Sequence, residues 1–271
     1  MLESIQQYLK HIPSLHRVLI LTGGLSFFWL LESAFPLFRF SYHKIRHAGV
    51  NIFFTLTTVV INFIFAFGIV ALSDFTQSQH WGLIPLLQPP LWLQLILGLL
   101  ILDGVGAYFV HWLEHQVPFL WRLHMVHHAD THVDTTTANR HHPAESVVRA
   151  LFTMLAVLIA GAPMWIVMLY QSASALLSQF NHANISLPRW LESSLGLIIV
   201  SPDMHKVHHH YVRPQTDSNY GNIFSFWDRL FRTHKHLSPK EIQYGLDILD
   251  NEKDESLSYQ LRIPFEKSIN N

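Results

Sequence analysis

The chain has 271 residues, of which 49% are hydrophobic and only 14% are charged, and its formal net charge at pH 7 is −1. This balance provides no basic surface, so we expect no nucleic-acid partner. Cysteine is absent, which excludes disulfides, thiolate zinc sites, iron–sulfur clusters and cysteine nucleophiles. Histidine is unusually frequent, with 20 copies, and these side chains require an explanation.

Four stretches are apolar enough to enter a lipid bilayer, which a helix of about 20 apolar residues can cross. They are residues 16–36, 49–72, 91–113 and 150–178. Buried core helices of a soluble protein are rarely apolar over such lengths. No cleavable signal peptide is expected, because the first stretch lacks a small-residue cleavage site and further spans follow it.

The loops between these stretches predict the orientation of the chain. Residues 37–48 carry Arg39, Lys44 and Arg46, whereas residues 73–90 carry no lysine or arginine. By the positive-inside rule, the first loop is cytoplasmic and the second is external. The chain therefore returns to the cytoplasm after the third stretch, and the histidines that follow lie on the cytoplasmic face.

The middle of the fourth stretch reads AGAPMW, and Pro163 would break a helix there. We therefore predict a hairpin of residues 147–160 and 164–181 that enters and leaves on the same side. Residues 187–200 are typical of an interfacial helix. The predicted fold is an all-α integral membrane bundle, with about three full spans plus this hairpin and a cytoplasmic helical cap that holds a metal site.

The predicted organisation has three parts. Residues 1–90 form N-terminal transmembrane helices, residues 91–233 form the catalytic domain, and residues 234–271 form a polar cytoplasmic tail.

The histidines recur in motifs that place several imidazoles on one helix face. His111 and His115 are four residues apart in HWLEH, and the pattern HxxHH occurs twice, in HMVHH and HKVHH. Neutral imidazole suits iron, copper, nickel and zinc. The candidate ligands are His111, His115, His124, His127, His128, His182, His205, His208 and His209, with His142 as an additional candidate. So many ligands imply two metal ions.

The remaining histidines are better explained as hydrogen-bonded structural residues. These are His11, His16, His43, His47, His80, His132, His234 and His236. The role of His141 stays open, and His210 is interpreted as a solvent-exposed neighbour of its motif. No HExxH zinc-hydrolase motif and no ExxH di-iron motif is present.

The stretch from about residue 100 to residue 233 resembles the fatty acid hydroxylase/sterol desaturase superfamily of membrane-bound, histidine-box di-iron oxygenases. The resemblance is carried by HWLEH, LWRLHMVHHAD, DTTTANRHHPAE, NHAN, SPDMHKVHHH and DSNYGNIFSFWDRLFRTH. It implies that the three histidine boxes and His182 bind two irons, and it aligns His142 with a family histidine whose ligand role is less certain. Trp112 and Arg232 depart from the residues common in the family, without affecting the ligands.

The resemblance also implies the reaction, an O2-dependent oxidation of a lipid C–H bond. Hydroxylation of a fatty acyl chain, sterol or other isoprenoid lipid is the principal interpretation. Desaturation and alkylglycerol-type monooxygenation are alternatives within the superfamily. A histidine-rich metal transporter, which would place ligands near the bilayer midplane, and a catalytically inactive scaffold are alternatives outside this chemistry.

Metal-bound imidazoles usually donate their second N–H to a carboxylate or carbonyl. The candidates for such supporting roles are Asp103, Arg140, Glu145, Asp217 and Asp228, and we expect Asp103 to pair with a ligand histidine or with Arg140. The chain has no cytochrome b5 or dinucleotide-binding motif. Electrons must therefore come from an external ferredoxin, cytochrome b5 or flavoprotein reductase. Lys235, Lys240 and Lys253 are one docking possibility, but a solvated tail of mixed charge explains them better.

Overall fold

The computed structural model describes residues 2–266 and contains no β-strand among them, so the predicted all-α class is confirmed. The α-helices are α1 (Leu2–Lys10), α2 (Ser14–Ala34), α3 (Lys44–Ser78), α4 (Leu83–Leu87), α5 (Leu91–Asp103), α6 (Val110–Gln116), α7 (Pro118–His128), α8 (Pro143–Ala160), α9 (Met164–His182), α10 (Arg189–Leu195), α11 (Pro202–His208), α12 (Phe226–Leu230) and α13 (Leu257–Arg262). Short 3-10 turns cover Thr135–Asn139, Pro239–Glu241, Asn251–Lys253 and Ile263–Phe265.

Four helical stretches are long and apolar enough to cross a membrane: Ser14–Ala34, Lys44–Leu87, Leu91–Gln116 and Pro143–Ala160. Their outer surfaces are also apolar, as Phe63 and Phe67 on α3 illustrate with 67% and 69% of their area exposed. A continuous apolar surface of this kind is unfavourable in water and favourable in lipid. The chain is therefore membrane-associated.

Contacts along α3 and α8 define the direction of each helix. Thr58 hydrogen-bonds Ser146 at 2.9 Å near one end, and the Ser73 hydroxyl donates to the Ala162 carbonyl at 2.9 Å near the other. The two helices therefore run parallel, and α9 returns in the opposite direction. The predicted hairpin is confirmed, because α8 begins and α9 ends at the same end of the bundle.

The turn between α8 and α9 depends on one glycine. Gly161 has a left-handed φ of 61°, and Pro163 then starts α9 with its fixed φ. A Cβ atom on Gly161 would lie 2.4 Å from the Trp81 carbonyl oxygen and 2.4 Å from Pro85. The turn thus packs directly against the segment that precedes α5.

The helix that carries the first histidine motif is irregular. Between α5 and α6, residues Gly104–Phe109 form a π-helical segment, which inserts an extra residue into the helical register. Gly104 leaves room for the indole of Trp227, whose nearest atom would be 3.1 Å from an added Cβ. The register shift ends immediately before His111, and π-helical segments of this kind are frequent at functional sites.

Residues 234–266 do not extend freely into solvent. The Arg122 side chain donates to the Pro264 carbonyl at 2.8 Å, and the buried Arg140 donates to the Asp254 carbonyl at 2.6 Å. Ile263 is fully buried against Met125 of α7. The C-terminal segment therefore packs over the outer side of α7. From the sequence, this segment was predicted only as a polar tail.

The Gly161→Ala substitution should destabilise the protein by about 1–3 kcal/mol, because it combines a left-handed backbone with a steric clash. The expected result is a lower midpoint of thermal unfolding in detergent. Gly23→Ala is the matched control, since no atom lies within 4 Å of an added Cβ in the α2 helix. Equal midpoints for the two variants would contradict this account of the turn.

Candidate metal centre

Nine buried histidines meet at one end of the helical bundle. His111 and His115 lie one turn apart on α6, and His182 ends α9. α7 and α11 both begin at a proline, Pro118 and Pro202, whose fixed φ suits the first helical position. The other six are His124, His127, His128, His205, His208 and His209.

The nine side chains form two adjacent groups. One, the five-histidine group, contains His111, His115, His124, His128 and His208; the other, the four-histidine group, contains His127, His182, His205 and His209. Within each group, one ring nitrogen per histidine lies within 4.8 Å of all the others. The groups adjoin, because the rings of His128 and His209 are 4.8 Å apart.

In the five-histidine group, backbone carbonyls fix the orientation of two rings. His111 Nδ1 lies 2.8 Å from the Tyr220 carbonyl oxygen, and His208 Nδ1 lies 2.7 Å from the Ser218 carbonyl oxygen. A carbonyl only accepts hydrogen bonds, so each Nδ1 carries the proton. Each Nε2 is therefore a free lone pair directed into the group.

Carboxylates fix two further rings of the same group. His115 Nδ1 lies 3.1 Å from Asp217, and His124 Nδ1 lies 2.8 Å from Glu145. In the four-histidine group, His182 Nδ1 donates to the Ser178 carbonyl at 2.8 Å. Carboxylate and carbonyl acceptors behind a ring are the usual support of metal-binding histidines.

The inward nitrogens of each group lie close to one another. His124 Nε2 lies 3.1 Å from His111 Nε2 and 3.2 Å from His128 Nε2. His182 Nε2 lies 3.0 Å from His205 Nε2 and 3.2 Å from those of His127 and His209. Because the Nδ1 atoms of His111 and His124 hold the protons, no proton is available between their Nε2 atoms.

The electrostatics of the groups favour unprotonated imidazole. Burial lowers the pKa values of His128, His205, His208 and His209 well below their ordinary value, and the neighbouring histidines lower them further. Neutral imidazole is the form that binds metals. Among residues 2–266, His115 Nε2 and His208 Nε2 have no hydrogen-bond partner although they are buried. A divalent cation in each group would satisfy these lone pairs and remove their repulsion, so the residues fit a pair of metal ions.

His142, the additional candidate, lies outside both groups. Its Nδ1 accepts a hydrogen bond from the Ala144 backbone at 3.2 Å and so caps the N-terminus of α8. The neighbouring His141 lies closer to the site, since its ring centroid is 5.0 Å from that of His127. The geometry thus assigns His142 a capping role, and we do not retain it as a ligand.

The five predicted supporting residues occupy different positions. Glu145 and Asp217 contact ligand candidates directly, as described above. Asp228 acts through the loop, because its carboxylate accepts from the backbone N–H groups of Tyr220 and Gly221 at 2.7 and 3.0 Å. The Tyr220 carbonyl then meets His111. Asp228 therefore positions an acceptor without contacting a histidine of either group.

The partners expected for Asp103 are wrong. Its carboxylate accepts from the backbone N–H groups of Ile223 and Phe224 at 3.2 and 3.1 Å and from the Trp227 indole at 3.0 Å. Arg140 is likewise remote from Asp103, because it donates to the Val126 carbonyl and to Asn51, both at 3.0 Å. Both side chains hold backbone segments around the site.

Sequence reasoning missed a buried charge network behind the five-histidine group. Arg149 donates to Glu114 and, at 3.0 Å, to Glu145, which also hydrogen-bonds His124. Glu114, His124 and Glu145 could by geometry also hold a metal ion, but the Arg149 guanidinium already supplies a cation there. The signal in the sequence was the spacing of Glu145 and Arg149, four residues apart on an apolar helix.

Removing the carboxylate behind His115 should weaken metal binding. Asp217→Asn is expected to lower metal affinity by about 10- to 100-fold, because the imidazole loses both its orientation and part of its basicity. Competition with a chromogenic chelator measures this affinity. Asp247→Asn is the control, since Asp247 is exposed nearby and should leave affinity unchanged. Equal affinities for both variants would show that Asp217 does not support the site.

Comparison with known proteins gives relatives of related chemistry. The chain is 28% identical over 160 residues to the ornithine lipid hydroxylase OlsE of Rhizobium tropici, and this alignment covers 59% of this chain and 47% of that protein. It is 24% identical over 255 residues to alkylglycerol monooxygenase of Caenorhabditis elegans, covering 91% and 49%. It is 22% identical over 195 residues to methylsterol monooxygenase 1-3 of Arabidopsis thaliana, covering 71% and 66%.

The chain spans about half the length of the first two of these relatives. No solved structure matches. The model of the family described as fatty acid hydroxylase matches residues 95–233, which include all nine histidines of the two groups. The superfamily resemblance is thereby confirmed, and the chain belongs to the fatty acid hydroxylase family.

Proposed function

We propose that the chain is an O2-dependent, non-haem di-iron oxidoreductase that hydroxylates a C–H bond of a membrane lipid. The observation that carries this proposal is the pair of adjacent, buried histidine groups whose inward nitrogens converge at the polar end of an apolar bundle. Relatives named as lipid and sterol hydroxylases and monooxygenases support the same reaction class.

In this proposal the nine histidines of the two groups hold two irons. Iron bound there would supply the activation of O2 that oxidation of an unactivated C–H bond requires. The chain itself orients the imidazoles through Asp217, Glu145 and the Tyr220 and Ser218 carbonyls. Burial of all nine side chains excludes bulk water from the reacting centre.

A cavity between α3, α8 and α9 supports access from the lipid phase. Its volume is about 410 Å³, and it is lined at one end by His141 and Arg149, beside the two groups, and farther along by Phe63 and Met168. An acyl or isoprenoid chain in this cavity would have its oxidised carbon near the four-histidine group, since His141 packs on His127.

The cavity lining favours a lipid that carries polar groups. Asn62, Gln171, Ser174 and Asn222 all border the cavity. Asn222 already donates to Ser174 at 2.7 Å, so Asn62 and Gln171 are the side chains left for a substrate. Amide and hydroxyl groups at lipid depth are unfavourable unless they find hydrogen-bonding partners. A substrate with ester, amide, ether or hydroxyl groups would supply such partners, whereas a plain hydrocarbon would not.

Hydroxylation is preferred over the alternatives for two reasons. The relatives with extensive coverage are named as hydroxylases or monooxygenases, including alkylglycerol monooxygenases, so ether-lipid oxidation is the second candidate. A metal transporter would place ligands on crossing helices near the midplane. Here His111, His182 and His208 lie at helix ends on one side of the bundle.

The orientation, domain roles and electron supply complete the proposal. Positive charge at Arg39 in the loop after α2, and at Lys44 and Arg46 in the first turn of α3, favours a multi-pass protein whose histidine groups face the cytoplasm. Residues 91–233 would form the catalytic unit, anchored by residues 1–90. Two electrons per turnover would come from an external ferredoxin, cytochrome b5 or flavoprotein reductase.

Metal content of detergent-purified protein tests the di-iron assignment. We expect iron in both groups, and His128→Ala and His209→Ala, one from each group, should each lose iron and abolish lipid oxidation. His236→Ala, at an exposed position, is the matched control and should retain both. A single zinc in freshly prepared protein, or iron unchanged in both variants, would overturn the proposal.

Obstructing the cavity tests the route of the substrate. Ala175→Phe places a large ring among the cavity-lining residues, so we expect loss of oxidised lipid product while iron content is retained. Ile159→Phe is the control, because this side chain is 44% exposed on α8 and does not line the cavity. Lipid mass spectrometry of membranes that contain each variant measures the product. Equal product from both variants would exclude this cavity as the substrate site.

A further inference from the structure

A single tryptophan lies against three members of the five-histidine group. Trp121, on α7, is only 3% exposed, and its ring centroid lies 4.8 Å from that of His115 and 5.4 Å from that of His128. The His124 ring is 6.4 Å away. Trp121 therefore contacts the rings of candidate ligands on the side away from the four-histidine group.

The indole also contacts a solvent-accessible arginine. The Arg213 guanidinium lies 5.1 Å from the Trp121 ring centroid, and the Arg213 side chain is 46% exposed. Arg213 also pairs with Asp217 at 3.1 Å, and Asp217 accepts from His115 at 3.1 Å. The surface and the five-histidine group are thus joined twice, through the indole and through the Asp217 carboxylate.

A small surface cavity of about 230 Å³ exposes this arrangement to the polar side. Its lining includes Trp121, Arg213, Asp247 and Ile248, and Ile248 is 40% exposed. Tyr220 is the other aromatic residue that contacts the group, with its ring 5.1 Å from that of His115. It is only 1% exposed and packs on Tyr108 inside the bundle.

We infer that electrons reach the five-histidine group through Trp121, from a one-electron donor protein that approaches on the side of Arg213. This inference rests on the proposed function, in which the electrons come from an external donor. In each transfer the donor is oxidised by one electron and the metal pair is reduced by one. Trp121 is unchanged afterwards, and no bond forms or breaks.

The π-system of an indole in contact with ligand imidazoles gives stronger electronic coupling than aliphatic packing over the same distance. The Arg213 guanidinium extends this contact from the ring to the exposed surface. These two properties distinguish Trp121 from Met125 and Val126, its apolar neighbours on α7.

The absence of native cysteine allows a direct test that does not need the natural donor. An Ile248→Cys variant is labelled with a thiol-reactive ruthenium photoreductant, and a flash then injects one electron beside Trp121. Transient absorbance follows the oxidised label and the reduced metal pair. The same label at Leu197→Cys, where the native side chain is 67% exposed on the segment after α10, provides the control position.

Adding Trp121→Leu should slow electron transfer from position 248 severalfold, because an aliphatic side chain replaces the π-system on the route. Trp121→Phe, which keeps an aromatic ring, should slow it less. Transfer from position 197 should be the same with and without either substitution, and metal content should be unchanged in Trp121→Phe.

Three results would overturn the inference. Equal rates from position 248 in the wild-type and Trp121→Leu backgrounds would show that Trp121 is not on the route. Loss of metal in Trp121→Phe would show that the indole serves to maintain the structure of the metal site and not to carry electrons. Equal slowing from both label positions would indicate a general change of the metal site. By contrast, wild-type protein without any redox-active metal would contradict the proposed function itself.

Discussion

The close approach of unprotonated imidazole nitrogens is the constraint on which the rest of the structure depends. The Nδ1 atoms of His111 and His124 hold the protons, so their Nε2 lone pairs, 3.1 Å apart, repel one another, and burial keeps these rings from relieving the repulsion by taking up protons. A cation between the rings would remove the repulsion. The surrounding sequence supplies Nδ1 acceptors to the rings of His111, His115, His124, His182 and His208 and leaves the Nε2 atoms of these rings directed inward.

Much of the polar chemistry outside the two groups serves to hold these acceptors in place. Asp228 fixes the backbone around Tyr220, and Asp103 fixes the adjacent Ile223 and Phe224. Arg140, which is fully buried, joins Val126 of α7 to Asp254 of the C-terminal segment. Leaving one buried donor or acceptor of such a network without its partner typically costs about 1–3 kcal/mol, so these residues contribute to folding as well as to the geometry of the site.

The sequence predicts some levels of this structure better than others. Helix periodicity and membrane length are local properties, so the apolar stretches, the break at Pro163 and the shared face of His111 and His115 could be read directly. The partners of Asp103 could not, because they are backbone groups 120 and 121 residues away in the chain. The capping role of His142 had a local signal, since Pro143 follows it as the first helical residue. His142 was nevertheless predicted as a possible ligand, because it lies in the RHHPAE segment that resembles the family.

The order of elements along the chain constrains how the site assembles during synthesis. The five-histidine group combines residues of α6 and α7 with His208, and its backbone acceptors extend to Tyr220. All four membrane-length stretches precede His208 and Tyr220 in the chain. The five-histidine group therefore stays incomplete until α11 and the following loop have been made. In the proposed enzyme, metal held by this group would join the last part of the chain to the helices that precede it.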